Sequence, residues 1–149
     1  MKLAFAADHR GYLLKEYLSG AAAELGHEVV DFGTDREESC DYVDFGRAAA
    51  EAVARGEADR GVLVCATGIG MSMAANKVPG VRAALCWTVY MARLSRAHND
   101  ANVLVLSGDQ TGFQYAREML EVWLATEFEG GRHARRVGKI KNIEGEYSK

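Results

Sequence analysis

Short apolar runs alternate along the chain with longer stretches whose apolar residues recur every three or four positions. The runs at 3–7, 28–32, 62–66, 81–86 and 103–106 are typical of strands that are buried on both faces. The stretches between them carry apolar stripes at helical spacing: Leu14, Leu18, Ala21 and Leu25; Phe45, Ala48, Ala49, Ala52 and Val53; Phe113, Ala116, Leu120, Trp123 and Leu124. The alternation predicts one α/β domain over residues 1–149, a three-layer α/β/α sandwich around a five-stranded parallel, Rossmann-like sheet.

Composition narrows the class of protein. The chain has 149 residues, a formal net charge of −3 and a hydrophobic fraction of 48%, all typical of one soluble domain. This charge offers no basic surface for nucleic acid or an anionic membrane, and no apolar run reaches membrane-spanning length. The three cysteines are an odd number without the spacing of a disulfide framework. We therefore expect reduced thiols and a cytoplasmic protein that binds neither nucleic acid nor membrane.

The third predicted strand leads into the segment with the clearest chemical character. It reaches Cys65, and the glycine-containing turn 67–70 and a helix-compatible stretch follow. Such a turn directs backbone N–H groups at an anion, and a thiol in that field is expected to ionise more easily than a free one. The alternatives are a tight connection that binds nothing and a cysteine that is simply a small buried apolar residue.

Two common uses of a glycine turn do not fit this one. A dinucleotide fingerprint would need a third small residue at position 73, which is Met73, and an acidic residue after the next strand, where Cys86 and Trp87 stand. A phosphatase loop of the cysteine-dependent kind would place an arginine six residues after the cysteine, where Met71 stands.

Polar residues at the ends of other elements are further candidates. Asp8 and His9 follow the first strand and so belong to the same edge of the sheet as Cys65, although Asp8 also suits the cap of a helix that begins near Arg10. His98 stands near the end of a predicted helix, where the helix dipole alone favours a histidine.

A basic segment near the C-terminus offers an anion site or a solvated helix end with equal weight. Arg132 and Arg136 are four residues apart, so on a helix their guanidinium groups share one face and could grip a phosphate. The four histidines, at 9, 27, 98 and 133, have no paired ligand spacing, so neither a metal site nor a cofactor is predicted.

Taken together, these residues resemble one family almost from end to end. The matching blocks are 8–11, 31–34, 41–42, 65–70, 74–77, 95–102 and 130–133. They are similar to the type B ribose-5-phosphate isomerases, in the group that also contains the galactose-6-phosphate and allose-6-phosphate isomerases. The resemblance implies a metal-independent aldose–ketose isomerisation through an enediolate, and a homodimer with shared active sites, with dimer or tetramer left open.

The resemblance also implies a role for each matching residue. Cys65 would move the proton between C1 and C2, because Met71 replaces the glutamate that part of the family uses for this step. Thr67 and His98 would assist ring opening, and Asp8 would handle protons between the two oxygens. The implied substrate-binding residues are His9, Tyr42, Ala66, Gly68, Ile69, Gly70, Asn99, Arg132 and Arg136. The segment around His98 and Asn99 is expected from the neighbouring subunit, and the segment from about residue 130 is expected to pack on or across the dimer.

The sequence departs from the family at three positions. Asp109 stands where a third phosphate-binding arginine is usual, Ala66 where glycine is usual, and Arg10 where a small residue is usual. A carboxylate about 4 Å from a phosphate would cost about 1 kcal/mol with water-like screening, or about 4 kcal/mol at an effective dielectric constant of 20. Two alternatives to ribose-5-phosphate isomerisation therefore stay open. One is a preference for another aldose, such as allose or a six-carbon sugar phosphate, and the other is a non-catalytic sugar-phosphate binding module.

Overall fold

The computed structural model describes residues 1–148, in which five strands alternate with helices. The strands are β1 (Lys2–Ala7), β2 (Glu28–Asp31), β3 (Arg60–Cys65), β4 (Ala83–Leu85) and β5 (Val103–Ser107). The helices are α1 (Tyr12–Glu24), α2 (Tyr42–Ala54), α3 (Ile69–Ala75), α4 (Val89–Ala97), α5 (Phe113–Ala125) and α6 (Arg132–Tyr147). Each of the five predicted strands is present.

The sheet is parallel throughout, with the strand order β2-β1-β3-β5-β4. The chain moves from β1 to one side to form β2 and then to the other side of β1 to form β3. The point where the order reverses therefore lies between β1 and β3, and ligands of such sheets bind outside the carboxyl ends of the strands at this point. The predicted α/β sandwich with a five-stranded parallel sheet is confirmed.

Helices cover both faces of the sheet because nearly every side chain of its central strands is apolar. On one face, α1, α4 and α5 pack on the sheet through Leu14, Leu18, Ala92, Met119, Leu120 and Trp123. On the other face, α2 and α3 pack on it through Ala49, Ala50, Val53, Met71 and Ala75. The predicted stripes are therefore buried at most of their positions, except that Leu25 and Phe113 remain exposed at helix ends.

The fourth strand is shorter than the apolar run at 81–86 predicts. Arg82 donates its backbone N–H to the side-chain oxygen of Asn102 at 2.7 Å, and its side chain bonds to the carbonyl oxygens of Asn99 and Asp100. Because this segment is held by side-chain contacts, regular pairing begins only at Ala83.

The last helix lies at the margin of the domain. Its buried residues are His133 and Val137, while Ile140 and Ile143 are 49% and 57% exposed. Glu144 accepts a hydrogen bond from the backbone N–H of Gly80 at 2.9 Å. Among residues 1–148, no helix combines the length and the apolar character that crossing a bilayer requires.

Candidate active site

Cys65 is the last residue of β3 and lies at the carboxyl edge of the sheet, opposite Ser107 of β5. The loop after β5 fixes the backbone here. Gly108 donates its N–H to the carbonyl of Cys65 at 2.8 Å, and Asp109 donates its N–H to the carbonyl of Ala66 at 3.1 Å. The Ser107 hydroxyl donates to the same Ala66 carbonyl at 2.6 Å. Ala66, the residue before the glycine turn, is therefore held by one backbone and one side-chain hydrogen bond to its carbonyl.

The turn after Cys65 depends on a glycine. Gly68 has φ of +82°, and a Cβ atom there would lie 2.4 Å from the Leu85 side chain and 3.2 Å from the carbonyl oxygen of Leu106. A side chain at this position would be strained in φ and would clash. The following residue, Ile69, starts α3 and donates its N–H to the Thr67 hydroxyl at 3.2 Å. The hydroxyl of Thr67 is thereby held within the turn.

The thiol of Cys65 experiences opposing influences on its pKa. Burial raises the pKa most, and the negative charge of Asp8 raises it further, whereas hydrogen bonds from the backbone N–H groups of Met71, Gly68 and Thr67 lower it. The net pKa lies above the ordinary value. The expectation that this thiol ionises more easily than a free one is therefore wrong for the single chain, because desolvation outweighs the amides. The predicted cradle of amides is nevertheless present around the sulfur.

Asp8 is buried beside this turn, and its side chain organises the segment after β1. Its Oδ1 accepts the backbone N–H groups of Arg10 and Gly11, both at 3.0 Å. Asp8 makes the hydrogen bonds predicted for a cap, but they close a turn before the helix rather than the first turn of the helix itself. The helix α1 begins at Tyr12, with Gly11 as its N-cap and without a capping side chain. A Cβ atom at Gly11 would lie 2.4 Å from the Val64 carbonyl oxygen, so only glycine lets α1 start this close to β3.

His9 and Tyr42 extend the same edge. The Nδ1 atom of His9 accepts the backbone N–H of Cys40 at 3.2 Å, so in the neutral ring the proton is on Nε2. Tyr42 is the first residue of α2, and its ring lies against Gly70, where a Cβ atom would be 2.5 Å from the ring. The structure thus brings Asp8 and Tyr42 to the loop of Cys65 and places His9 at the same edge of the sheet. Met71 is fully buried and packs its sulfur against Gly46.

Four other predicted site residues lie at the opposite edge of the sheet. His98 and Asn99 follow α4, just before β5, and Arg132 and Arg136 lie on the first turns of α6. The structure places both arginines on one helix, at the four-residue spacing that lets their guanidinium groups share a face. Since β3 spans six residues at about 3.3 Å per residue, the two edges are about 16 Å apart. One chain therefore does not bring these residues to its own Cys65.

Around His98 the fold makes a cluster that the sequence does not reveal. The rings of His98 and His133 stack with centroids 4.0 Å apart, and Glu129 places its Oε2 3.8 Å and 3.5 Å from their respective Nε2 atoms. Glu129 is fixed by its backbone N–H, which bonds to the Ala97 carbonyl at 3.0 Å. No spacing signal links His98 to a residue 35 positions later, so only the α5–α6 connection reveals the pair.

The three side chains of this cluster have the ligand types and closeness of a metal site, contrary to the expectation from histidine spacing. Two features oppose a cation there. Arg132 directs its Nε at the His133 ring from 3.5 Å, and the two parallel imidazole planes, 8° apart, do not converge as tetrahedral coordination requires. The cluster suits an anion at its arginine side better than a metal ion.

Known proteins are similar to this chain over nearly its whole length, which includes both edges of the sheet. The family model described as Ribose/Galactose Isomerase matches residues 3–140. Ribose-5-phosphate isomerase B of Escherichia coli is 46% identical over 143 residues, which are 96% of this chain and 96% of that protein. The structure of Clostridium thermocellum ribose-5-phosphate isomerase B matches with a TM-score of 0.97 at 54% identity, over 99% of both chains. That of Trypanosoma brucei type B ribose 5-phosphate isomerase matches with a TM-score of 0.92 at 47% identity, over 95% of this chain and 97% of that one.

Proposed function

The chain belongs to the ribose/galactose isomerase family, and from that premise we propose that it interconverts ribose-5-phosphate and ribulose-5-phosphate. The observation that carries the proposal is the placement of a thiol, a buried carboxylate and several backbone N–H groups beside one another at the carboxyl edge of β1 and β3. An enediolate intermediate needs a base beside the sugar carbons and fixed donors for the oxygen that becomes negative.

In this proposal Cys65 is the base. As a thiolate, it removes the proton from C2 of the open-chain aldose and returns it to C1, while Asp8 moves a proton between the two oxygens. The amides of the 67–70 turn hold the enediolate oxygen, and such donors typically contribute about 100-fold to 1,000-fold each in rate. Ala66, Gly68, Ile69, Gly70 and Tyr42 surround the sugar, and Thr67 assists ring opening.

A second copy of the chain completes the site. His98 as ring-opening acid, Asn99 as a hydroxyl ligand, and Arg132 and Arg136 as phosphate ligands lie about 16 Å from Cys65 along the strands. We therefore propose a homodimer in which the amino edge of one chain meets the carboxyl edge of the other. The exposed isoleucines of α6 support a role for the segment from about residue 130 in packing across the dimer.

This assembly also bears on the ionisation of Cys65. In the single chain, burial keeps the pKa of the thiol high. The partner's Arg132 and Arg136 would add positive charge to the site, and positive charge lowers the pKa of a thiol. We accordingly propose that the base becomes competent only in the assembled site.

The alternative of an unphosphorylated substrate rests on the carboxylate of Asp109. Arg10 pairs with that carboxylate at 2.7 Å, so the repulsion that would disfavour a phosphate is offset. The alternative of a binding module needs neither a base nor an acid, and the grouping of Cys65 with the buried Asp8 speaks against it.

The test is conversion of ribose-5-phosphate in deuterated water by wild-type protein, Cys65→Ala and Cys86→Ala. We expect wild type to incorporate deuterium at C1 of ribulose-5-phosphate, and Cys65→Ala to lose at least about 100-fold in kcat. Cys86→Ala, which also removes a buried thiol, should retain activity. Saturable binding without turnover by the wild type would favour the binding module, and full activity of Cys65→Ala would remove Cys65 as the base.

A further inference from the structure

An ion pair joins the segments after β1 and β5 beside the Cys65 loop. Arg10, in the segment after β1, donates from Nη2 to Oδ2 of Asp109, in the segment after β5, at 2.7 Å. The two segments are in direct contact, because a Cβ atom on Gly108 would lie 2.7 Å from the carbonyl oxygen of Arg10. The backbone N–H of Arg10 is bonded to Asp8. The guanidinium group is therefore tied to the loops that carry Asp8 and Cys65.

The carboxylate of Asp109 is anchored more firmly than the guanidinium that it holds. Its backbone N–H is bonded to the Ala66 carbonyl, and its side chain is 31% exposed against 57% for Arg10. Asp109 thus holds the longer and more exposed side chain of Arg10 in one orientation. Orientation of this kind reduces the entropy that a long side chain loses when it binds a ligand.

Most of the hydrogen-bonding capacity of Arg10 is not used by the protein. Within residues 1–148, its Nε and Nη1 atoms have no hydrogen-bond partner. A single exposed ion pair contributes little to stability, so the pair is poorly explained as a stabilising contact. A guanidinium with two unused nitrogen donors, held beside the Cys65 loop, is suited to an oxyanion ligand.

We propose that Arg10, oriented by Asp109, binds the phosphate end of the substrate and determines selectivity for phosphorylated sugars. This inference rests on the proposed isomerase function and adds a phosphate-binding residue at the carboxyl edge of the same chain that carries Cys65. His9, the adjacent residue, presents a single Nε2–H donor there, whereas Arg10 supplies full charge and several donors. Asp109 acts through Arg10 and is a positioning residue.

The first experiment compares Arg10→Gln with a matched control, Arg55→Gln. Arg55 is 59% exposed and pairs with Glu57 at 3.0 Å, but it lies at the opposite end of the sheet. For Arg10→Gln we expect KM for ribose-5-phosphate and the inhibition constant of inorganic phosphate each to rise about tenfold, with kcat changed by less than about twofold. Arg55→Gln should change neither constant by more than about twofold.

The second experiment asks whether Asp109 acts through Arg10. In the wild-type background, Asp109→Asn should raise KM for ribose-5-phosphate about threefold, because the guanidinium loses its orientation. In the Arg10→Gln background the same change should lower KM, because the carboxylate is then unpaired and repels the phosphate. Only a positioning role predicts that the same substitution raises KM in the wild-type background and lowers KM in the Arg10→Gln background.

Two results would overturn the inference. One is an inhibition constant for phosphate that Arg10→Gln leaves unchanged, and the other is an Asp109→Asn change that lowers KM equally in both backgrounds. If the wild type does not turn over ribose-5-phosphate, the proposed function fails. Calorimetric binding of inorganic phosphate to wild type and Arg10→Gln then still decides the role of Arg10, since a tenfold weaker affinity supports it and equal affinities refute it.

Discussion

His98 and His133 stack face to face, with ring centroids 4.0 Å apart and ring planes 8° from parallel. His98 directly follows α4 and His133 is the second residue of α6, so the stack joins two elements that are separated by all of β5 and α5. Glu129 lies against both rings from the connection before α6. The two predicted phosphate ligands of α6 are therefore held in a fixed relation to the predicted ring-opening acid.

The stack predicts a dependence of stability on pH. Burial holds the pKa of His133 below its ordinary value of 6.5, with further lowering by His98 and Arg132 and an opposing effect of Glu129. The unfolded chain therefore binds a proton more readily than the folded one. The resulting contribution to stability is complete above about pH 6.5 and is lost as the pH falls through the lower folded pKa.

Urea unfolding at pH 7.5 and pH 5.5 measures this contribution. We expect the wild type to lose more free energy of unfolding over this interval than His133→Gln does. His27→Gln is a useful comparison, because burial, the N-terminus and Arg60 also lower the pKa of His27. It should reduce the pH dependence but leave isomerase activity unchanged. Equal losses for wild type and His133→Gln would contradict the assignment to His133.

In subunits dissociated by dilution, which lack the partner's positive charges, the raised pKa of Cys65 predicts slow and steeply pH-dependent alkylation. The ordinary thiol pKa used for comparison is 9.0, and burial places that of Cys65 above it. The rate of carboxamidomethylation at Cys65, followed by mass spectrometry, should rise about tenfold per pH unit from pH 7 to pH 9. Cys86, whose pKa burial raises to about 11, should react more slowly still. A rate at Cys65 that is constant between pH 6 and pH 8 would show that the thiol is already ionised, so that the amides lower its pKa by more than burial raises it.

The contact between Gly70 and Tyr42 predicts that a single methyl group disturbs the site. A Cβ atom at Gly70 would lie 2.5 Å from the Tyr42 ring, so Gly70→Ala must displace the ring. We expect kcat/KM for ribose-5-phosphate to fall about tenfold and stability to fall by about 1–3 kcal/mol.

Gly20→Ala is the matched control for that change. Gly20 lies inside α1 with no atom within 4 Å of the added Cβ. Alanine there should raise the free energy of unfolding by up to about 1 kcal/mol and leave kcat/KM unchanged. A Gly70→Ala protein with wild-type kcat/KM would mean that the Tyr42 ring has no part in the sugar site.

The sequence predicts the elements of this protein better than their side-chain partnerships. The stripe of Leu14 and Leu18 and the run at 62–66 are local patterns, and each corresponds to a buried element. The sequence suggests a helix start near Arg10, but α1 begins at Tyr12 because the N–H groups near Asp8 are bonded to its side chain in a separate turn. Strand order is a property of the whole topology, which local periodicity does not encode.

In the candidate site, too, the sequence shows the motif but not the side-chain partners. The glycine turn after Cys65 is visible as a motif, but the net direction of its pKa depends on how deeply the fold buries the sulfur. The pair Arg10–Asp109 joins residues 99 positions apart. It becomes visible only in the structure, where the loops after β1 and β5 are in contact. The resemblance to a family identified His98, whereas the stack that holds it required the structure.

The most direct test of the shared site is complementation between two inactive variants. Cys65→Ala and His98→Asn should each lack isomerase activity alone, because each homodimer has two damaged sites. After the subunits are mixed in equal amounts and allowed to exchange, each heterodimer has one intact site, so about a quarter of wild-type activity should return. If the mixture has no more activity than the separate variants, while exchange is verified by mass spectrometry, then Cys65 and His98 do not act across two chains and the account is contradicted.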